Sequence, residues 1–392
     1  MRIVSVAGTR PQLIKAAALQ PILRRDHDDI FVDTGQHYDD AMAGAFFGEL
    51  GLARPDHALG IGGGGHGDQT GRMLIALEPI LREAAPDAVL VYGDTNSTLA
   101  GALAAAKLGI PVAHVEAGLR SFDRAMPEEL NRVVADHLAT WLFAPTHAAV
   151  VNLATEGITS GVLDVGDLML DLAARVSVEV RDPAALGDVA KRLGLRLTPG
   201  QYLFATVHRA ENRTREAMAR WTALLGDAAT LHRPVVLALH PGTRAALLAE
   251  GIRLPEGVLV IEPQGYRTSL ALQLHAAAVL TDSGGVQREA AWLGVPCLVL
   301  RESTEWVETM GGAESSSVLV GLDRDAARRE LAARAPADRS PEIAAARAGG
   351  LRLAGVGAAE RISKALSGGV PARPARGATV EAGGATVEAA RP

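Results

Sequence analysis

Acidic side chains follow directly on two apolar runs in the first third of the chain. Val89-Leu90-Val91-Tyr92 leads into Gly93-Asp94-Thr95-Asn96-Ser97, and Val112-Ala113-His114-Val115 leads into Glu116-Ala117-Gly118. Further on, Pro127-Glu128-Glu129-Leu130-Asn131-Arg132 opens a helical stretch and brings a third carboxylate towards the same crevice. Three such groups suit general acid and base work, whereas Glu128 and Glu129 taken alone would serve as well as partners of a helix dipole. In the second half, Thr206-Val207-His208-Arg209 sets a histidine after an apolar run, at the end where ligands bind. A single histidine is commonly structural, but one so placed is suited to proton transfer near neutral pH.

Two further runs suit an anion. Gly8-Thr9-Arg10-Pro11-Gln12-Leu13-Ile14-Lys15 is a glycine turn entering a helix that carries Arg10 and Lys15, an arrangement that favours phosphate. Thr281-Asp282-Ser283-Gly284-Gly285-Val286-Gln287-Arg288-Glu289 is a strand end, a bare turn and a helix start. Its backbone N–H groups and positive helix end would hold a diphosphate, with Glu289 in reach of a ribose hydroxyl. Neither run is a G-x-G-x-x-G fingerprint or a Walker A loop, so a nicotinamide or ATP partner has no support.

The elements that must position these groups are legible as short apolar strands alternating with Ala/Leu-rich helices. Strands are expected at 3–6, 30–32, 89–92, 112–115, 141–143 and 162–165, and again at 202–207, 235–239, 258–261, 279–281 and 297–300. Continuous apolar strands separated by helices mean parallel sheets covered on both faces. The expectation is an α/β protein of two Rossmann-like, doubly wound domains, 1–170 and 171–344, with a hinge near Leu170 and the charged stretch 173–200 at the boundary. Helices are expected over 341–366. Residues 367–392 are Gly/Pro/Ala-rich, repeat Ala-Thr-Val-Glu-Ala at 378–382 and 385–389, and are expected to be a disordered tail.

Composition agrees. A chain of 392 residues, 48% hydrophobic and 21% charged, suits two globular cores, and 4% aromatic residues make those cores aliphatic. Net charge −6 and pI near 6.0 disfavour a nucleic-acid backbone or an anionic membrane as main partner. Cys297 is the single cysteine, which excludes an intrachain disulfide and a thiolate zinc cluster and fits a reducing compartment. With no signal-peptide core and no membrane-spanning run, a cytoplasmic protein is expected.

Seven runs, GTRPQLIK (8–15), TGQHYDD (34–40), GDTNST (93–98), HVEAGLRS (114–121), PEELNR (127–132), DSGGVQREA (282–290) and LRESTEWVE (300–308), resemble in order and spacing the non-hydrolysing UDP-N-acetylglucosamine 2-epimerase family. The resemblance covers residue 1 to about 366. It implies a GT-B-like pair of domains with the active site in the interdomain cleft, a C-terminal helix at about 345–366 packing back on the first domain, and a homodimer. It also implies a UDP-sugar substrate, no metal and no redox cofactor. Proton loss at C2 of UDP-N-acetylglucosamine is coupled to departure of UDP, and a 2-acetamidoglucal intermediate gives UDP-N-acetylmannosamine, a precursor in polysaccharide biosynthesis. By motif, Asp94, Glu116, Glu128 and His208 match the catalytic residues, their proton donor and acceptor undivided. Arg10, Lys15, Gln264, Ser283, Gly284, Gly285 and Glu289 match the nucleotide-binding ones.

Departures from the family pattern bear on substrate. Gln12 stands for the usual glutamate and is expected to be tolerated. Trp306 stands where many members carry an arginine, as in the branch that includes epimerases of UDP-2,3-diacetamido-glucuronic acid. Ser269 stands where an aromatic often meets the base. Tyr38-Asp39-Asp40 replaces the glutamine-containing run of members regulated by a second UDP-N-acetylglucosamine, so such regulation is expected to be weak or absent. A hydrolysing relative that releases N-acetylmannosamine, a GT-B glycosyltransferase and a non-catalytic nucleotide sensor are the rival readings.

Overall fold

The computed structural model describes residues 1–36, 49–229, 233–304, 306, 309–310, 316–336, 340–350, 353 and 355–371. Strands β1 (Arg2–Ala7), β2 (Asp28–Asp33), β3 (His57–Ala58), β4 (Ala88–Tyr92), β5 (Val112–Val115), β6 (Trp141–Ala144) and β7 (Val162–Asp164) form one parallel sheet in the order β3-β2-β1-β4-β5-β6-β7. A second parallel sheet runs β10-β9-β8-β11-β12-β13, from β8 (Leu203–Val207), β9 (Val235–Leu239), β10 (Val258–Ile261), β11 (Ala278–Thr281), β12 (Cys297–Val299) and β13 (Ser317–Leu319). Central strands are buried along their whole length, Ala88–Tyr92 and Ala278–Thr281 among them, because helices cover both faces. The fold is the expected pair of doubly wound units. The edge strands β3 and β13 are additions to that expectation, being too short for a hydrophobic run to announce them.

The first sheet is flanked by α1 (Arg10–Asp26), α2 (His66–Ala84), α3 (Asn96–Lys107), α4 (Pro127–Leu138) and α5 (His147–Thr155). Close packing is built in at Gly101 of α3, where a Cβ would come within 2.9 Å of Val91 on the sheet. Helices α6 (Leu168–Val180) and α7 (Pro183–Arg192) lead to the second unit, so Leu170 lies inside a helix rather than in a loop. The second sheet carries α8 (Arg215–Ala229), α9 (Pro241–Ala249), α10 (Tyr266–Leu274), α11 (Gly284–Trp292) and α12 (Arg324–Arg334).

The chain then continues through α13 (Ser340–Gly350) and α14 (Ala358–Ser367). The last of these is strongly amphipathic. It buries Ile362 and Leu366 completely, and its polar edge meets the end of α1, with Ser363 Oγ donating to Asp26 at 2.7 Å and Arg25 pairing with Glu360 at 2.9 Å. Among the described residues no helix is long and apolar enough to cross a membrane. Cys297, on β12, is fully buried. The repeat region beyond 371, residues 37–40 of the TGQHYDD run and residues 305, 307 and 308 lie outside the described residues.

Candidate active site

A doubly wound sheet binds ligands beyond the carboxyl ends of its strands, where the winding reverses. The reversals fall between β1 and β4 in one sheet and between β8 and β11 in the other. The loops leaving those strands carry Gly8 to Arg10 and Asp94 on one side, and His208 and Asp282 to Gly285 on the other. Between them lies a cleft of about 640 Å³ lined from both lobes, by Arg10 of the first and by His208, Ser283, Gly285, Arg288 and Glu289 of the second.

On the first lobe, Gly8 has no room for a side chain, since a Cβ would sit 1.8 Å from Thr34 Oγ1. Gln12 then ties the turn together. Its Oε1 accepts from Gly8 N–H and Thr9 N–H at 2.9 and 3.1 Å, and its Nε2 donates to Tyr92 O and Thr98 Oγ1 at 2.6 and 2.9 Å. An ionised carboxylate has no donor to offer the last two, so glutamine is well fitted here. Arg10 reaches across the cleft to the backbone oxygen of Gln264 at 3.1 Å. The Gln264 side chain folds back on Glu262 O.

Glu116 sits in the left-handed region at φ 71°, a cost that a non-glycine residue bears only when its surroundings hold it. The holding groups are buried. His114 bridges Gly93 O at 2.7 Å and Asp136 at 2.6 Å, and Asp136 also accepts from Gly118 N–H and from Arg120. The Glu116 carboxylate pairs with Lys15, and Arg288 Nη1 stands 3.8 Å from its other oxygen. Asp94 pairs with Arg132.

The two carboxyls therefore differ in acidity. Burial opposes charge on Glu116, but Lys15, Arg288 and Arg132 together prevail and hold it below the usual glutamate range. Burial dominates at Asp94, aided by the neighbouring charge of Glu116, and outweighs Arg132 and Lys15, so this carboxyl is raised. Lys15, expected at the nucleotide, has its ammonium on Glu116 instead. Glu128 is half-buried on the first turn of α4 and its side chain forms no hydrogen bond or ion pair with any described residue, so the structure does not join it to the other two carboxylates. Its neighbour Glu129 is structural, accepting from Ser121 N–H and Phe122 N–H at 2.9 and 3.0 Å.

On the second lobe, Asp282 is wholly buried and accepts from the backbone of His208 and Arg209 and from Asn212 Nδ2. Burial works against its charge, yet these bonds and His208 override it and keep it ionised. Its Oδ1 lies 3.1 Å from His208 Nδ1, which places the proton on Nδ1 and turns Nε2 outward as an acceptor. Ser283 caps α11 by accepting from Val286 N–H. Gly285 has open space around it, a Cβ meeting only Ser283 Oγ at 3.8 Å, so nothing within the fold demands a glycine there. Glu289, one turn further, is pushed up to about 7 by burial and accepts from Gln273 Nε2 at 2.6 Å.

A family model for UDP-N-acetylglucosamine 2-epimerase matches residues 22–366. The chain belongs to this epimerase family. Among its relatives in the family are the UDP-2,3-diacetamido-2,3-dideoxy-D-glucuronate 2-epimerase of Pseudomonas aeruginosa, 44% identical over 83% of this chain and 90% of the relative. The UDP-N-acetylglucosamine 2-epimerase of Methanococcus maripaludis is 42% identical over 81% and 87%. Among solved epimerase structures, that of the Methanocaldococcus jannaschii UDP-GlcNAc 2-epimerase in complex with UDP-GlcNAc and UDP matches with TM-score 0.80 and 36% identity, over 94% of this chain and 100% of that one.

Several residues that stand around these carboxylates carry no signal of that role in the sequence. Arg288 lies within the DSGGVQREA run, and its guanidinium stacks on Trp306 at 3.7 Å and bonds Asp167 Oδ2 at 2.5 Å. Arg132 and Asp282 stood within recognised runs but with no assigned partner. Asp94 and Glu116 do not themselves line the cleft, and Arg288, which does, is the contact that joins cleft and carboxylates.

Proposed function

We propose that the protein interconverts UDP-N-acetylglucosamine and UDP-N-acetylmannosamine. The observation that carries this reading is the pair of oppositely tuned carboxyls, Glu116 held below the usual glutamate range and Asp94 raised above the usual aspartate one, beside a cleft whose far wall is an open glycine turn on a helix N-terminus. Two titratable groups driven apart in this way are the mark of a paired base and acid. Glu116 takes the C2 proton as the C1–O bond breaks and UDP leaves with the electron pair. Asp94 returns a proton to C2 of the resulting 2-acetamidoglucal on the other face, and UDP re-adds at C1. Ser283, Gly284 and Gly285 hold the diphosphate through backbone N–H groups, with Arg10 as counter-charge. His208 Nε2 faces the same cleft, Glu289 takes the ribose, and Gln264 borders the base; Glu128 is the remaining candidate carboxylate.

Incubation with UDP-N-acetylglucosamine in heavy water, followed by NMR, tests this. Deuterium at C2 and UDP-N-acetylmannosamine as product are expected. No exchange at C2 sinks the proposal, and free N-acetylmannosamine with UDP would show a hydrolysing enzyme.

A second substrate is supported by the 44% identity to the P. aeruginosa glucuronate-type epimerase and by Trp306 stacked on Arg288, which lines the cleft. Side-by-side kcat/KM values for the two UDP-sugars decide between them. A cytoplasmic homodimer serving polysaccharide biosynthesis is the setting proposed. The apolar side chains Leu130 and Val134, exposed one turn apart on α4, support self-association, which light scattering measures.

A further inference from the structure

Arg288 is buried, yet it lies on the border between the nucleotide cleft and the carboxylates. It is held from three sides. Its Nη1 bonds Asp167 Oδ2 at 2.5 Å, its Nη2 contacts Met169 Sδ at 3.2 Å, and its face lies on the Trp306 ring at 3.7 Å with Trp292 at 5.7 Å. Asp167 is itself fixed, since its Oδ1 caps α6 by accepting from Met169 N–H at 2.8 Å.

From this seat Nη1 stands 3.8 Å from Glu116 Oε1. That distance is too long for a hydrogen bond but well within range of a strong Coulombic effect in a buried site. Glu116 Oε2 is taken by Lys15, whereas Oε1 accepts no hydrogen bond from any described residue. Arg288 therefore favours the charge on Glu116 without occupying the lone pairs that would receive a proton.

We propose that Arg288, seated on Trp306 and Asp167, is a positioning residue that readies Glu116 as a base only when the two lobes are in contact. The proposal rests on the reading that Glu116 takes the C2 proton. Its physical basis is the division of charges between the lobes. Lys15 on α1, Arg132 on α4 and Asp94 after β4 all face Glu116 from its own lobe and travel with it. Arg288 on α11, whose own neighbours are Asp167, Glu116 and Glu289, is the cation that, among the described residues, faces Glu116 from the other lobe. Separation of the lobes removes it and leaves burial less opposed, so the carboxyl takes up a proton more readily. Nucleotide binding, which draws on both lobes, thus coincides with the appearance of the base.

The test is the pH dependence of kcat for the full chain with UDP-N-acetylglucosamine, in the wild type, Arg288→Gln, Arg288→Lys and Trp306→Ala. Loss of the cation raises the pKa of Glu116, so the acid limb should move to higher pH by about one unit or more in Arg288→Gln, with kcat reduced on that limb. Arg288→Lys should recover part of the shift. Trp306→Ala keeps every charge but removes the seat, and should move the limb in the same direction by less. If Arg288→Gln does not fold, Trp306→Ala and Arg288→Lys carry the test. An acid limb unmoved in the folded variants, even with kcat reduced, overturns the inference and leaves Arg288 as packing. Absence of C2 exchange in the wild type is a different failure, that of the epimerase reading.

Discussion

At the scale of single residues, the proposed chemistry depends on Asp94 and Glu116 having unlike surroundings. Asp94→Asn, Glu116→Gln and His208→Ala are each expected to lower kcat by roughly 10²- to 10⁴-fold with UDP binding retained, as measured by steady-state kinetics and calorimetry. Wild-type turnover in any of them removes that residue from the mechanism. Glu289 supplies a pH-dependent case. Burial raises its folded-state value to about 7, above that of the unfolded chain, so the ligand-free fold loses stability as pH rises through that interval. Glu289→Gln should therefore raise Tm at pH 8, the gain shrinking towards pH 5, while UDP binds more weakly. The strand-end positions of Asp94, Glu116 and His208 were legible because they follow apolar strands. The Arg288 seat was not, because its partners at 167 and 306 are remote in sequence and only folding brings them together.

At the scale of elements, two glycines near the cleft do opposite work. Gly8 is required by the fold, since a Cβ would strike Thr34 and Ser97. Gly285 is not, since its surroundings are open. Gly8→Ala should lower Tm markedly, by steric overpacking worth about 1–3 kcal/mol. Gly285→Val should leave Tm within a few degrees and weaken UDP binding at least about tenfold, in thermal melts and calorimetry. Equal losses of Tm in both variants would argue against Gly285 as a ligand contact. The central strands announced themselves as unbroken apolar runs because both of their faces are buried. Strands β3 and β13 lie at sheet edges with only two or three residues, too few for any periodicity, and the left-handed backbone at Glu116 leaves no mark on composition at all.

At the scale of the whole molecule, the last helix closes the chain on its beginning. Removing residues from Gly357 onward would expose the faces that Ile362 and Leu366 cover, at about 1.5–3 kcal/mol for each buried side chain. A drop in denaturation midpoint is expected, and an unchanged midpoint would show that α14 adds nothing to the fold. The two-unit plan was readable from the restart of the strand–helix alternation at Tyr202, but the docking of α14 on α1 through Asp26 and Glu360 has no local signature. Cys297, finally, lies in β12 of the second unit with its thiol pushed up to about 12 by burial. A sulfhydryl so protected stays inert towards alkylating reagents until its surroundings open. Since the chain has no other cysteine, its labelling rate would time the opening of that lobe without engineered probes, and saturation with nucleotide should slow the clock.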